Sequence, residues 1–347
     1  MELPKLPFYK KHSQIFKAII AGGILGLIYA AMYYAGLDFG YLRLLLGTVI
    51  GIFIGFIIIT LEKSLSYLND YSFIAAILLK AVIYSISILI FLLLFAVAFN
   101  KIAAHISYEQ ALSTYVNDRL FKDFLFSLGA SIFLILFLEI SSLLSPGFFY
   151  NYFTGRYHRP VQEERIFMFV DVQSSTTMAE QLGDVLYSKL LQDLFNDFTD
   201  SILASRAEIY QYAGDEIILT WKASKGINEN RCLYCFYLLK QSIRNKQDYY
   251  LKTYKTIPKF KAGMHIGNAV TNWVGKVKKE IVYHGDLLNT TSRIQCKCNE
   301  FNHDFVISEN MKNALIKDSS IKYEEQGEIV LRGKAKTIKL FTVDFDI

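Results

Sequence analysis

The sequence predicts two units of different class: an α-helical membrane bundle with four spans, followed by a soluble α+β domain. Three observations carry this. Hydrophobic residues make up 52% of the 347, above the roughly 45–50% of an ordinary soluble domain, and the excess lies in long, nearly charge-free runs over the first 145 or so residues. From about residue 166 the pattern changes to short β-rich runs interleaved with amphipathic helical ones. Lys and Arg flank the apolar region at both ends. Such hydrophobicity excludes a disordered chain and a purely soluble one. The net charge of +5 is mild. No dense Lys/Arg stripe interleaved with aromatics occurs, so nucleic acid is not an expected partner.

Four runs are long enough for a bilayer core of about 30 Å, which takes about 20 helical residues: 15–36, 41–61, 73–99 and 124–145. The first is too long and too rich in glycine and aromatics for a cleaved leader, and no small-residue cleavage site follows it. Lys5, Lys10, Lys11 and Lys17 precede or open the first span, and Arg156 and Arg159 follow the fourth. By the positive-inside rule both ends face the cytoplasm, as an even number of spans requires. A tight turn near Gly36–Gly40 and a loop over about 100–122 then lie outside. The expected location is the plasma (inner) membrane, with membrane lipid around the bundle. Lys80 and Glu139 fall about 10 Å deep in one leaflet, at about 1.5 Å per residue. Charge at that depth needs a partner, so the two are expected to pair or to share a polar cavity.

The membrane domain covers 1–145, and residues 146–165 read as a connector. Pro146 and Gly147 end the last span, the aromatics suit the membrane interface, and Pro160 with the charged run to Arg165 opens the domain 166–347. Residues 166–172 read as a buried strand. Ser175 and Thr176 are N-cap candidates for a helix continuing to about Ser205, with Met178, Leu182, Leu186, Leu190 and Leu194 at helical spacing. Glu208–Ala213 and Glu216–Trp221 form a hairpin around Gly214-Asp215. A helix over 230–249, strands over 259–266 and 269–277, a turn into a helix over 285–299, a short helix over 308–317 and strands over 327–332 and 337–343 complete the chain. Strands and helices mix without strict alternation, which predicts an α+β sheet with helices on one face.

Two acidic residues stand out. Asp171 ends the first strand and Asp215 sits at the hairpin tip. A carboxylate at a strand end and another at a neighbouring hairpin tip can face one point, and Mg²⁺ usually takes one or two carboxylates plus phosphate oxygens. The loop Ser174-Ser175-Thr176 runs into a helix N-terminus, whose free N–H groups seat phosphate. Asn289 and Arg293, at i and i+4, share a helix face. A neutral amide beside a guanidinium fork suits a ribose oxygen and a phosphoryl oxygen gaining charge. Arg332 and Lys334 form a basic turn able to hold a terminal phosphate.

The order FVDVQSST, YAGDE, GMHIG, YHGDLLNTTSRIQ and LRGK resembles the catalytic domain of class III nucleotidyl cyclases, the adenylyl and guanylyl cyclases. The resemblance covers about 166–347. It implies a ferredoxin-like α+β fold and a homodimer with its active sites at the interface. One subunit would supply Asp171, Val172 and Asp215 to two Mg²⁺ or Mn²⁺ ions, and the other Asn289 and Arg293 as catalytic residues. Ser174, Ser175, Thr176, Arg332 and Lys334 would bind the nucleotide. The two base-reading positions depart from the family pattern. One is Gln211, where adenylyl members place Lys and guanylyl members Glu; the other is Val282, which cannot hydrogen-bond. The expected reaction is ATP to 3′,5′-cyclic AMP and pyrophosphate. GTP as substrate and a non-catalytic nucleotide-binding receptor are the alternatives. A diguanylate cyclase is disfavoured, because the 213–217 run lacks paired glycines and a closing aromatic. Cys232, Cys235, Cys296 and Cys298 have poor zinc spacing and fit a reducing compartment. His265 reads as packing, and His284 as a residue near the base or the interface.

Overall fold

The computed structural model describes residues 13–33, 41–65, 72–104, 107–143, 148–330 and 337–346. They fall into two compact units, one within Lys11–Leu144 and one within Ser145–Ile347.

The first unit is helical: α1 (Ser13–Tyr33), α2 (Tyr41–Ser64), α3 (Phe73–Ala104), α4 (Tyr108–Asp118) and α5 (Leu120–Leu143). Three stretches among the described residues are long and apolar enough to cross a membrane: Leu44–Glu62, Ile74–Val97 and Leu120–Ile140. They coincide with the second, third and fourth expected spans. In the first, the apolar stretch among the described residues is Ile19–Ala31, shorter than a crossing. Helices α1 and α2 touch backbone to backbone. A Cβ on Gly22 would meet the Gly51 carbonyl oxygen at 2.3 Å, and one on Gly26 the Gly47 oxygen at 2.2 Å, so only glycine permits this approach.

One expectation changes here, and another gains a residue. The loop predicted over 100–122 contains the end of α3 and all of α4. A capping box starts α4, with Ser107 accepting from the Gln110 N–H and the Gln110 side chain accepting from the Ser107 N–H. Its buried residues Ala111 and Tyr115 are too few to show in a hydropathy reading. Glu62 is a partner of Lys80, at 2.6 Å, with Lys80 only 1% exposed. Tyr84 donates to the other oxygen of the same carboxylate, and Glu139 lies within electrostatic reach of Tyr84. Ending the second span at residue 61 left Glu62 outside the expected bundle.

The second unit is built on an eight-stranded sheet. After α6 (Phe148–Phe153) come β1 (Val161–Val172), α7 (Ser175–Leu182), α8 (Asp184–Asp197), α9 (Thr199–Ala204), β2 (Glu208–Ala213) and β3 (Glu216–Lys222). Then follow α10 (Ala223–Ile227), α11 (Arg231–Arg244), α12 (Gln247–Tyr254), β4 (Phe260–Val274) and β5 (Glu280–His284). The chain ends with α13 (Asp286–Glu300), β6 (Phe305–Ser308), α14 (Glu309–Ala314), β7 (Ile321–Val330) and β8 (Thr337–Phe345). The strands pair in the order β2-β3-β1-β4-β6-β8-β7, and β5 pairs with β4. All pairings are antiparallel except β4 with β6.

Strand β1 is central, and its side chains alternate between two cores, as the pleat requires. Ile166, Met168 and Val170 join the larger core with Leu190, Leu194, Leu233 and Phe236. Phe167 and Phe169 face the other way, onto Leu287 of α13 and the half-buried Tyr210 and Tyr283. Helices therefore cover both faces of the sheet, not one as the sequence predicts.

The long helix expected to Ser205 breaks at Gly183, whose φ of 75° is left-handed, and again at Phe198. The helix expected over 230–249 splits into α11 and α12, and β6 is a four-residue strand that the sequence reading leaves out. The two strands expected over 259–277 are one, because β1 pairs with β4 from Phe260 to Thr271 and holds Gly267 in register.

Candidate functional site

The register of the sheet assembles the acidic corner. Asp171 stands opposite Glu216 on β3 and Lys261 on β4. Glu216 pairs with Ala213 across the turn Gly214-Asp215, where Gly214 takes a left-handed φ of 64°, as two-residue hairpin turns favour. A strand end and a hairpin tip thus meet, as the sequence predicts. Val172, next along β1 and 3% exposed, offers this corner only main-chain atoms.

The carboxylate of Asp171 is held on one oxygen. Lys261 Nζ lies 3.2 Å from Oδ2, and Gln295 Nε2 donates to the same oxygen over 3.0 Å. Burial pushes the Asp171 pKa up, Lys261 and Gln295 counter it, and the charge of Asp215 raises it again, so that it ends above its ordinary value. Glu216 is pushed up to about 7 by burial and by the charges of Asp171 and Asp215. Burial raises the Tyr187 pKa, as does the charge of Asp215; a hydrogen bond with Ser175 opposes the rise, and the charge of Asp171 adds to it. Mutually repelling carboxylates are a setting that a divalent cation relieves. Among the described residues no three of His, Cys, Asp and Glu share a metal-ligating arrangement. The available donors are two carboxylates and the Val172 main chain, and so few protein ligands suit Mg²⁺ or Mn²⁺ bound with phosphate oxygens.

Ser174 is left-handed, with φ 55°, and precedes α7, whose first residues are Ser175 and Thr176. Its side chain makes no capping hydrogen bond. The capping residue is therefore Ser174, not Ser175 or Thr176, and its hydroxyl is not spent on the helix end.

Helix α13 buries Leu287, Thr290, Thr291, Ile294, Gln295 and Cys298. Asn289 is exposed and Arg293 half-buried. At about 100° per residue, Arg293 lies some 160° around the helix from Gln295, and Asn289 about 120° from it. The structure therefore brings Asp171, Val172, Asp215 and Ser174–Thr176 to one corner and puts Gln295 of α13 against Asp171. Asn289 and Arg293 point elsewhere.

Gln211 is exposed on β2, just after a bulge. Val282 is half-buried on β5, opposite Asn272. Their neighbours Tyr210 and Tyr283 pack edge to face with ring centroids 5.1 Å apart, so the two strands meet on one face. Arg332 and Lys334 lie outside the described residues. His265 is buried with Nδ1 2.6 Å from Ser308 Oγ, and His284 is exposed. Cys232, Cys235 and Cys298 are buried and Cys296 is exposed; burial pushes Cys235 and Cys298 each up to about 12.

Sequence reasoning missed Lys261, Gln295, Tyr187 and Glu216. The signal for Gln295 was present: Leu287, Thr291, Ile294 and Cys298 mark the buried face of α13, and Gln295 falls on it.

Residues 159–344 match the family described as adenylate and guanylate cyclase catalytic domain. The chain is 30% identical over 218 residues to adenylate cyclase 2 of Rhizobium meliloti (strain 1021), an alignment spanning 63% of this chain and 60% of that protein. It is 23% identical over 206 residues to adenylate cyclase 1 of the same organism, spanning 58% of this chain and 30% of that protein. It thus covers less than two thirds of either relative. Among solved structures, a bacterial light-regulated adenylyl cyclase superposes with a TM-score of 0.53 at 15% identity, over 62% of this chain and 64% of that one, which shows the shared fold. A sheet that carries Asp171 and Asp215 to one corner, with a family match over more than half its length, places this chain in the class III adenylate and guanylate cyclase family.

Proposed function

We propose that the chain is a membrane-anchored adenylate cyclase, converting ATP to 3′,5′-cyclic AMP and pyrophosphate at the interface of a homodimer. One observation carries this reading. The acidic corner and the Asn289/Arg293 pair are turned apart within one copy, because α13 presents Gln295 to Asp171. A second copy related by a twofold axis supplies what the first lacks, and twofold pairing is the commonest assembly. The relatives named adenylate cyclase support ATP, while the Gln211 amide, which both donates and accepts, can face either purine.

In this reading Asp171, the Val172 main chain and Asp215 hold Mg²⁺ or Mn²⁺. When bound, the ions lower the pKa of the ribose 3′-hydroxyl and neutralise phosphate charge. Lys261 and Gln295 fix the Asp171 carboxylate through Oδ2 and leave Oδ1 to face the site. The main chain and hydroxyls of Ser174, Ser175 and Thr176 bind phosphate at the start of α7. From the other copy, Asn289 orients the ribose and Arg293 meets the charge that grows on the α-phosphate. Arg332 and Lys334 hold the terminal phosphates. The apolar helices anchor the chain in the plasma (inner) membrane, with the cyclase domain on the cytoplasmic side, over the division 1–145, 146–165 and 166–347.

The test is incubation of purified full-length protein with Mn²⁺ and ATP or GTP, followed by product identification by mass. Cyclic AMP as the main product supports the reading. Cyclic GMP replaces the substrate, and no turnover despite nucleotide binding makes the chain a receptor.

A further inference from the structure

Within the helical unit, α1, α2, α3, α4 and α5 line a partly open cavity of about 560 Å³, inside the roughly 300–1,000 Å³ range of small-molecule sites. Its two ends differ. At one end stand Tyr29, Tyr115, Arg119 and Asp123; at the other, Ile58, Ile88 and Leu134. From Asp123 to Leu134 the α5 wall runs about 16 Å, at 1.5 Å per residue.

The polar end is buried. Asp123 is 3% exposed and Tyr115 2%. Tyr29 donates a hydrogen bond to Asp123. The Tyr115 hydroxyl makes no hydrogen bond of normal geometry; the Asp123 carboxylate lies close enough to act on it as a weak acceptor, and Arg119 acts on it electrostatically. A buried hydroxyl left unmatched is costly, and apolar wall atoms without close neighbours forfeit dispersion contacts. Both costs vanish if the cavity is filled by a molecule whose head bonds Tyr115 and whose body lies along the apolar wall.

We infer that the helical unit binds a neutral amphiphile in this cavity, with a hydroxyl or carbonyl head at Tyr115 and an apolar chain running toward Ile58, Ile88 and Leu134. The head is neutral because this end already holds one formal charge of each sign, on Arg119 and Asp123. A third full charge would stand uncompensated in a low-dielectric bundle.

The experiment reads binding without nucleotide and is independent of the proposed catalysis. Full-length protein in lipid nanodiscs is photolabelled with dodecanol carrying a diazirine at the far end of its chain, and the adducts are mapped by mass spectrometry. Adducts are expected at the Ile58, Ile88 and Leu134 end, suppressed by excess 1-dodecanol and much less by dodecanoate or dodecylamine. Loss of one hydrogen bond in Tyr115→Phe is expected to weaken labelling about fivefold. Ala130→Trp fills the cavity wall away from the polar end and is expected to abolish labelling. Circular dichroism checks that each variant folds, and either folded variant alone is sufficient. Native mass spectrometry of the purified chain separates the sources. A co-purifying neutral lipid marks the bilayer as the source, whereas an empty protein that takes up dodecanol marks an amphiphile from outside; both support the cavity. Adducts spread over the exposed Ile90, Leu125 and Phe133, equal competition by charged chains, or unchanged labelling in both variants would overturn it.

Discussion

Gln295 donates to the Oδ2 of Asp171 over 3.0 Å from a residue 124 positions away, and Lys261 holds the same oxygen. Hydrogen bonds to a charged group contribute about 1.5–3 kcal/mol. Gln295→Leu is therefore expected to weaken Mn²⁺ binding about tenfold, read by electron paramagnetic resonance of the free ion as well as by the metal dependence of turnover. An unaltered Mn²⁺ affinity would remove Gln295 from the metal corner.

Gly263 lies beneath the same contact. A Cβ there would come within 2.3 Å of the Gln295 main-chain nitrogen, so α13 must move. Overpacking of this kind costs about 1–3 kcal/mol. Gly263→Ala is expected to retain the fold by circular dichroism but to lose most cyclase activity. Full activity would show that the sheet and α13 adjust without disturbing Asp171.

A split site predicts complementation. Asp171→Ala and Arg293→Ala chains, each inactive alone, are expected to recover about one quarter of wild-type activity when co-expressed, because half of randomly paired dimers carry one intact site of two. Failure to recover, with mixed dimers demonstrated by pull-down, would place both halves of the chemistry in one copy.

Lys80, fully buried, pairs with the partly buried Glu62 in the helical unit. Removing one partner of such a pair costs about 3–5 kcal/mol, whereas replacing both with apolar or neutral groups is far milder. Lys80→Met is expected to lower the melting temperature in detergent markedly, and Lys80→Met/Glu62→Gln to restore most of it. Equal losses in the single and double variants would contradict the pairing.

Glu163 ties the connector to the sheet. It accepts from Tyr157 at 2.8 Å and from Arg156 at 2.9 Å, and Arg165 lies 3.2 Å away. Burial alone would raise its pKa, but the Tyr157 hydrogen bond, the Arg165 charge and the Arg156 hydrogen bond hold it below its ordinary 4.5. The sign follows from that: a depressed folded-state pKa contributes stability that is present above 4.5 and lost as pH falls through the lower folded value. Glu163→Gln is expected to lower stability at pH 7 and to flatten its decline between pH 5 and pH 3, measured by thermal unfolding. An acid limb as steep as wild type would reject the assignment.

The sequence by itself determined what local pattern can encode. Apolar runs marked the helical unit, alternation and turn residues marked β1 and the β2–β3 hairpin, and Asp171 and Asp215 were legible because a strand end and a two-residue turn are defined by near neighbours. Tertiary structure decided the rest. Gly183 and Phe198 break a continuous helical pattern because the chain must repack over the sheet, and pairing along β1 carries β4 straight through Gly267. Lys80 found Glu62, and Asp171 found Gln295 and Lys261, across separations of 18, 124 and 90 residues. Periodicity records which face of an element is buried but not what lies opposite it. The partner of a charge is fixed by how whole elements pack, a property that only the folded chain possesses.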